Sequence, residues 1–223
     1  MRIEEYPDSE MMFMELANEI AGDLNNCLMA HDHASFVVPG GTTPGPIFDS
    51  LSAADLDWSR VHVILSDERW VPETSERSNT RLVRERLLTG RAAAARMVPL
   101  YADAPEPDDA LDDLAKGLEG EFPISVLLLG MGADMHTASL FPGADRLAEG
   151  MAADAPPLLA MRAPGAPEPR VTITAPYLAG AMTKHIVITG DEKRQAVERA
   201  RSLPPQEAPV SAVWQEATIH WAP

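Results

Sequence analysis

Apolar residues recur every four positions from Met12 through Leu16, Ile20, Leu24 and Leu28, so residues 9–30 are predicted to form an amphipathic helix. The next apolar run, Ser35-Phe36-Val37-Val38, is short and unbroken and stops at Pro39-Gly40-Gly41, which predicts a buried strand. A helix with proline at its start follows over 44–51. Residues 61–65 read as a second strand, ending at Ser66-Asp67-Glu68-Arg69, and 79–88 as a helix with Leu82, Leu87 and Leu88 inward. The acidic, proline-rich stretch 102–109 reads as a loop and 108–118 as a helix. The clearest buried strand is 124–129, which runs into Gly130-Met131-Gly132. Residues 152–169 are mostly loop with one strand at 158–161. Strands at 171–174 and 185–189, a helix at 191–201, a proline-rich loop at 202–209 and a last strand at 217–221 complete the chain.

Short apolar runs alternating with helices predict one α/β domain over 1–223, a doubly wound, mostly parallel, Rossmann-like sheet flanked by helices. In such folds a ligand sits beyond the carboxyl ends of the strands. Four polar or glycine-rich segments stand at predicted strand ends: 40–43, 66–69, 130–136 and 190–193. Their convergence on one cleft is the main functional expectation from the pattern alone.

Composition narrows the class. Aromatics are only 5% of 223 residues, so aliphatic side chains must build the core. Lys plus Arg total 18 against 34 Asp plus Glu, a net charge of -16, which opposes nucleic acid and anionic membranes as partners. Any anionic ligand therefore needs positive charge gathered locally. Cys27 is the single cysteine, so no internal disulfide or thiolate cluster can form. The first residues carry no apolar signal region and no run reaches membrane-spanning length, so a cytoplasmic protein is expected.

The strand-end segments carry the chemistry. Pro39-Gly40-Gly41-Thr42-Thr43-Pro44 joins a strand to a helix, where paired glycines, free N–H groups and hydroxyls can cradle an anion; an ordinary turn with a threonine N-cap reads equally from these residues. Arg69 can bind an oxyanion or carboxylate with Asp67 holding it, or belong to a capping cluster with Ser78 and Asn79. Asp134 stands two residues before His136 in a glycine-rich loop; a carboxylate there can orient the imidazole and raise its basicity, as a general base requires. Lys193 lies in the first turn of a helix, against the helix dipole, a position that a bound anion would offset. Arg170 precedes a strand. His31-x-His33 has no metal-site context and reads as a solvated loop, and the four tryptophans read as core or interface.

Gly-Gly-Thr-Thr-Pro at 40–44, Asp-Glu-Arg-Trp-Val-Pro at 67–72 with Ser78-Asn79, Gly-Met-Gly-Ala-Asp at 130–134 and His-Thr-Ala-Ser-Leu-Phe-Pro-Gly at 136–143 stand together in one order. With Pro169-Arg170-Val171-Thr172-Ile173-Thr174 and Gly190-Asp191-Glu192-Lys193, they resemble the 6-phosphogluconolactonase family, within the wider glucosamine-6-phosphate isomerase group. The resemblance implies hydrolysis of a phosphorylated sugar lactone in the oxidative pentose phosphate pathway. It implies His136 as the general base that activates water and Asp134 as its orienting partner. Arg69, with Asn79 near, would stabilise the oxyanion or sugar oxygens, and Gly40, Gly41, Thr42, Arg170 and Lys193 would hold the 6-phosphate. No cofactor and no metal are implied, and a monomer acting on a small sugar phosphate is expected. Two departures stand out. Met135 replaces a usual glycine between the Asp and the His, which strains the loop if that residue needs positive φ, and Glu76-Arg77 precedes Ser78-Asn79 where His-x-Asp is common. The deaminases and isomerases of the group carry a Glu after the loop histidine; 136–142 has none, which counts against that alternative. A non-catalytic sugar-phosphate sensor would carry a basic DNA-binding region, and the chain has no such segment.

Overall fold

The computed structural model describes residues 1–223. Strands β1 (Arg2–Glu5), β2 (Ala34–Val38), β3 (Val61–Leu65), β4 (Asp67–Arg69), β5 (Arg96–Val98), β6 (Val126–Gly130), β7 (Leu158–Met161), β8 (Arg170–Ile173), β9 (Thr183–Thr189) and β10 (Thr218–Ala222) form two sheets. The main sheet has the order β1-β10-β9-β6-β2-β3-β5, and every pairing in it is parallel. Its central strands are buried along their length, β2 at all five positions, as a sheet covered on both faces requires.

The long amphipathic helix forms as the four-residue repeat predicts. Helix α1 (Ser9–Ala30) begins where the Asp8 side chain accepts from Met11 N and buries Met12, Leu16, Ala17, Ile20, Leu24 and Leu28. It packs on β2, β6 and β10 beside α2 (Gly45–Ser52). Helix α3 (Asn79–Arg86) packs against α2 and β4. Shorter helices α4 (Leu111–Lys116), α5 (Leu147–Gly150) and α6 (Ala175–Ala179) follow, and α7 (Asp191–Ala200) covers β9. The helix expected over 108–118 divides into a 3-10 turn at Pro107–Asp109 and α4. In α3 the inward face is Val83 and Leu87; Leu82 and Leu88 are only half-buried.

Topology places the cleft. From β2 the chain proceeds outward to β3 and β5, and from β6 it proceeds the other way to β9 and β10. The strand order thus reverses between neighbours β2 and β6, leaving a crevice beyond their carboxyl ends. The second sheet, in the antiparallel order β4-β8-β7, stands over that crevice. Ser66 is the joint between the sheets: its N–H donates to Val38 O at the end of β2 (2.8 Å), and its carbonyl accepts from Ile173 N on β8 (2.9 Å). The polar run after Ser66, expected only as a strand end, is therefore a strand in its own right, β4.

The far edge of the main sheet holds a buried polar chain. Asp23 Oδ2 accepts from His185 Nε2 (2.9 Å). With both rings neutral, that makes His185 Nδ1 an acceptor for His220 Nε2 (3.0 Å), and His220 Nδ1 an acceptor for the Tyr6 hydroxyl (2.9 Å). Every ring nitrogen is used once, with β1, β9, β10 and α1 tied together. Burial, with smaller repulsion from His185 and Arg2, pulls His220 down from the ordinary 6.5 to about 3. The unfolded chain takes up this proton near 6.5 while the folded state refuses it until about 3. Stability present above 6.5 is therefore lost as pH falls, at about 1.4 kcal/mol per unit across that window. Urea midpoints of wild type and His220→Gln at pH 7.5 and 5 check this: the variant loses part of the acid-side slope, and equal slopes would contradict it.

Candidate active site

A cavity of about 270 Å³ lies at the strand-order reversal. Its floor is the loop after β2, with Gly40, Gly41, Thr42 and Thr43, and the loop after β6, with Gly130, Met131, Gly132 and His136. Asp67 and Arg69 from β4, Arg170 from β8, Asn79 at the start of α3 and Lys193 of α7 complete the wall. All four strand-end segments read from the sequence meet here, and each candidate residue lines the cavity except Asp134, which stands behind His136.

The loop after β6 is built to hold one imidazole. Gly132 N donates to His136 O (3.0 Å) and Met135 N to Gly132 O (2.9 Å), closing a tight turn. His136 Nδ1 donates to Asp134 Oδ1 at 2.5 Å. An ionised carboxylate can only accept, so in the neutral ring the proton sits on Nδ1 and Nε2 keeps its lone pair. The hydrogen bond from His136 holds Asp134 below the usual carboxylate range, with burial opposing it. Gly132 is required by contact: a Cβ there would stand 2.2 Å from His136 Nδ1 and 2.5 Å from Asp134 Oδ1. Met135, the departure noted above, takes φ 66. The turn is thus the same left-handed one that a glycine would adopt, carried by a side chain at about 1–2 kcal/mol of local strain. The Met135 side chain packs against the core, and its carbonyl accepts from Val210 N (3.1 Å), which offset that strain. Ala138, at φ 49, is a second such residue, and the sequence offered no sign of it.

Two guanidiniums face each other in the opposite wall. The antiparallel register of β4 and β8 sets Arg69 directly opposite Arg170. Like charges at opposed positions repel. Burial, and to a lesser degree Arg69, lowers the Arg170 pKa, while Asp67 raises it. The Nε of each arginine is buried without a hydrogen-bond partner. Arg69 is steadied by donation from a terminal nitrogen to Arg77 O (2.7 Å). Asp67 was expected to hold Arg69. It lies instead diagonally across the strand pair, 3.8 Å from Arg170, because the register puts Thr172 opposite it. Asp67 is itself oriented by Ser139 Oγ (2.6 Å) and Ser66 Oγ (2.9 Å).

Sequence reasoning passed over two residues that organise this wall. Phe141 stacks on the His136 ring (centroids 4.2 Å apart) and carries the Arg170 guanidinium 5.2 Å from its own centroid. Glu68 is fully buried. Its carboxylate accepts from Arg69 N (2.7 Å), Asn79 N (2.9 Å), Thr80 N (2.8 Å), Thr80 Oγ1 (2.7 Å) and Ser78 Oγ (3.2 Å). It thereby caps α3 and binds that helix to β4. Asn79 Nδ2 donates to Asp67 O (3.0 Å), and the amide lies over Gly40, where a Cβ would meet Asn79 Oδ1 at 2.1 Å. Lys193 stands half-exposed at the rim, while its neighbour Arg194 is taken by Glu5 and Glu198.

Known proteins resemble the chain along nearly its whole length. The family described as glucosamine-6-phosphate isomerases/6-phosphogluconolactonase matches residues 7–221. The 6-phosphogluconolactonase of Rhizobium meliloti is 41% identical over 216 residues, covering 93% of each chain. That of Pseudomonas aeruginosa is 41% identical over 212 residues, covering 93% of this chain and 89% of its own. The crystal structure of a 6-phosphogluconolactonase from Shewanella baltica superposes with a TM-score of 0.94 at 30% identity, over 100% of this chain and 97% of that one. A monomeric glucosamine-6-phosphate deaminase shares the fold, with a TM-score of 0.81 at 13% identity over 100% and 97% of the two chains.

Proposed function

The chain belongs to the glucosamine-6-phosphate isomerase/6-phosphogluconolactonase family, and from that premise we propose that it hydrolyses 6-phospho-D-glucono-1,5-lactone to 6-phosphogluconate. The observation that carries this reading is an imidazole, oriented by Asp134, facing the Arg69 and Arg170 guanidiniums across one cavity. His136 Nε2 takes a proton from water as the water oxygen attacks C1 of the lactone. Arg69 receives the negative charge that develops on the carbonyl oxygen. Collapse of that intermediate expels the ring oxygen, which takes the proton back from the imidazolium. A lactone is already electrophilic, so general-base help of about 10²–10⁴-fold with positioning suffices.

The phosphate supplies orientation from the far end of the substrate. Gly40, Gly41 and Thr42 offer backbone and hydroxyl donors, and Arg170 and Lys193 offer charge. A bound dianion at Arg170 offsets the repulsion between that guanidinium and Arg69. Asn79 gives one Nδ2 hydrogen to Asp67 O and keeps Oδ1 as an acceptor and a second N–H as a donor, a pair that suits a sugar hydroxyl.

The test is hydrolysis of freshly prepared 6-phospho-δ-gluconolactone, coupled to 6-phosphogluconate dehydrogenase, with EDTA present and spontaneous opening subtracted. Wild type turns the substrate over well above background; no excess over background refutes the assignment. Arg170→Ala lowers kcat/KM for the phosphorylated lactone by about 10–100-fold, the loss of one charge-assisted contact. It changes the slower reaction of unphosphorylated δ-gluconolactone little. Equal losses on both substrates would take Arg170 away from the phosphate.

A further inference from the structure

A second cluster of ligating groups stands at the opposite end of the sheet. His33 immediately precedes β2, His62 is the second residue of β3, and Glu121 lies in the segment that enters β6. The catalytic cleft opens at the carboxyl ends of the same strands, so the five residues of β2 separate the two sites by roughly 16 Å. The ligating atoms of His33, His62 and Glu121 all lie within 4.8 Å of one another. His62 Nδ1 is 2.8 Å from Glu121 Oε1, and His33 Nε2 is 3.5 Å from Glu121 Oε2.

The carboxylate is the informative member. Glu121 is only 4% exposed, yet its Oε2 makes no hydrogen bond. Burying an unpartnered carboxylate oxygen is costly, and a directly bound cation would satisfy it. His33 and Glu121, with His62 behind them, border a recess of about 260 Å³ that also includes His31, Asp32, Ser35 and Ser125. Its scaffold is firm: Ser35 N donates to Ser125 Oγ (3.1 Å) and Ser125 N to Ser35 Oγ (3.0 Å), locking the start of β2 to the segment that carries Glu121.

We propose that His33, His62 and Glu121 form a site for a divalent first-row transition cation, zinc foremost, with water as the fourth ligand. Two imidazole nitrogens and one carboxylate oxygen are a donor set that zinc accepts at about 2.0–2.2 Å, and tetrahedral bonds of that length set ligand atoms about 3.3–3.5 Å apart, between the 2.8 Å of the His62–Glu121 pair and the 4.8 Å span of the three. The His33 ring now stacks on His62 with centroids 4.5 Å apart and planes 20° from parallel. Coordination turns the His33 ring out of that stack so that its lone pair points between His62 and Glu121. His33, with a side chain 37% exposed, has the room to do so. No motif marks this set, since the three ligands are 29 and 59 residues apart and His31-x-His33 alone reads as a solvated loop. A cation here would clamp β2, β3 and the approach to β6, away from the reacting atoms.

The experiment uses full-length protein stripped with EDTA, dialysed and titrated with zinc chloride by calorimetry, with cobalt(II) absorption as a second probe. Wild type and His136→Ala each take up one equivalent, cobalt gives visible bands of a low-coordinate nitrogen-bound ion, and zinc raises the thermal midpoint. His33→Asn, an exposed change that leaves the metal-free thermal midpoint in place, weakens binding by about 100-fold, as loss of one of three ligands demands. Absence of saturable binding, equal binding in His33→Asn, or loss of binding in His136→Ala each overturns the proposal; the last would move the ion to the Asp134–His136 pair.

Discussion

His136→Ala lowers kcat for the phosphorylated lactone by about 10²–10⁴-fold and leaves the thermal midpoint close to that of wild type. The rate falls because no other group in the cavity pairs a free imidazole lone pair with an ionised partner. The fold survives because the His136 side chain is 30% exposed and its backbone bonds to Gly132 do not depend on the ring. Asp134→Asn separates the two parts of the pair. An amide oxygen can still accept from Nδ1–H and keep the tautomer, but the negative charge that favours the imidazolium is gone, so kcat falls by less than in His136→Ala. The pH profile adds an independent check. The hydrogen bond from His136 holds Asp134 below the usual carboxylate range, so a loss of rate in mild acid is not a loss of this partner's charge. Wild-type kcat in His136→Ala, measured against subtracted spontaneous opening, would remove the histidine from the chemistry.

Much of this site was legible because it lies on loops whose ends are marked in the sequence. The buried runs at β2, β3 and β6 are mostly apolar, with Ser35 and His62 the exceptions, and glycine or a polar cluster stops each one, so both the strand and its carboxyl end could be read. The departure at Met135 was legible too: the position needs positive φ, and the structure supplies it without glycine. What could not be read is whatever depends on pairing. The three-residue strands β4 and β5 and the amino-terminal β1 are too short or too polar for a periodicity to register. Without β4 there is no second sheet, so nothing in the sequence puts Arg69 opposite Arg170 or Asp67 diagonal to it. Phe141 read as one residue of a motif, although its position between His136 and Arg170 links the two halves of the cavity. The same limit hid the histidines: His185 and His220 are structural, and His33 meets His62 only because β2 and β3 are neighbours.

Glu68→Gln is expected to cost about 2–5 kcal/mol of stability and to lower activity with it, although the substitution changes no volume. The reason is the direction of every hydrogen bond around that side chain. Oε1 accepts from Arg69 N and Asn79 N, and Oε2 accepts from Thr80 N, Thr80 Oγ1 and Ser78 Oγ. A carboxylate can accept at both oxygens; an amide accepts at one and places an NH₂ at the other. Either orientation of the glutamine therefore sets its NH₂ against at least one backbone N–H that cannot turn away, in a position with no exposure to water. Only the hydroxyls of Ser78 and Thr80 can rotate to accept from it. The negative charge at the amino end of α3 is lost as well, and with it the favourable interaction with the helix dipole. Since Glu68 ties Arg69 and Asn79 to one point, their loosening opens the cavity wall. Urea unfolding gives the stability change, and kcat/KM at a temperature well below the new midpoint separates the site effect from global unfolding. A midpoint within 0.5 kcal/mol of wild type, the range of an ordinary surface substitution, would mean that the carboxylate's five bonds are not what fixes this wall.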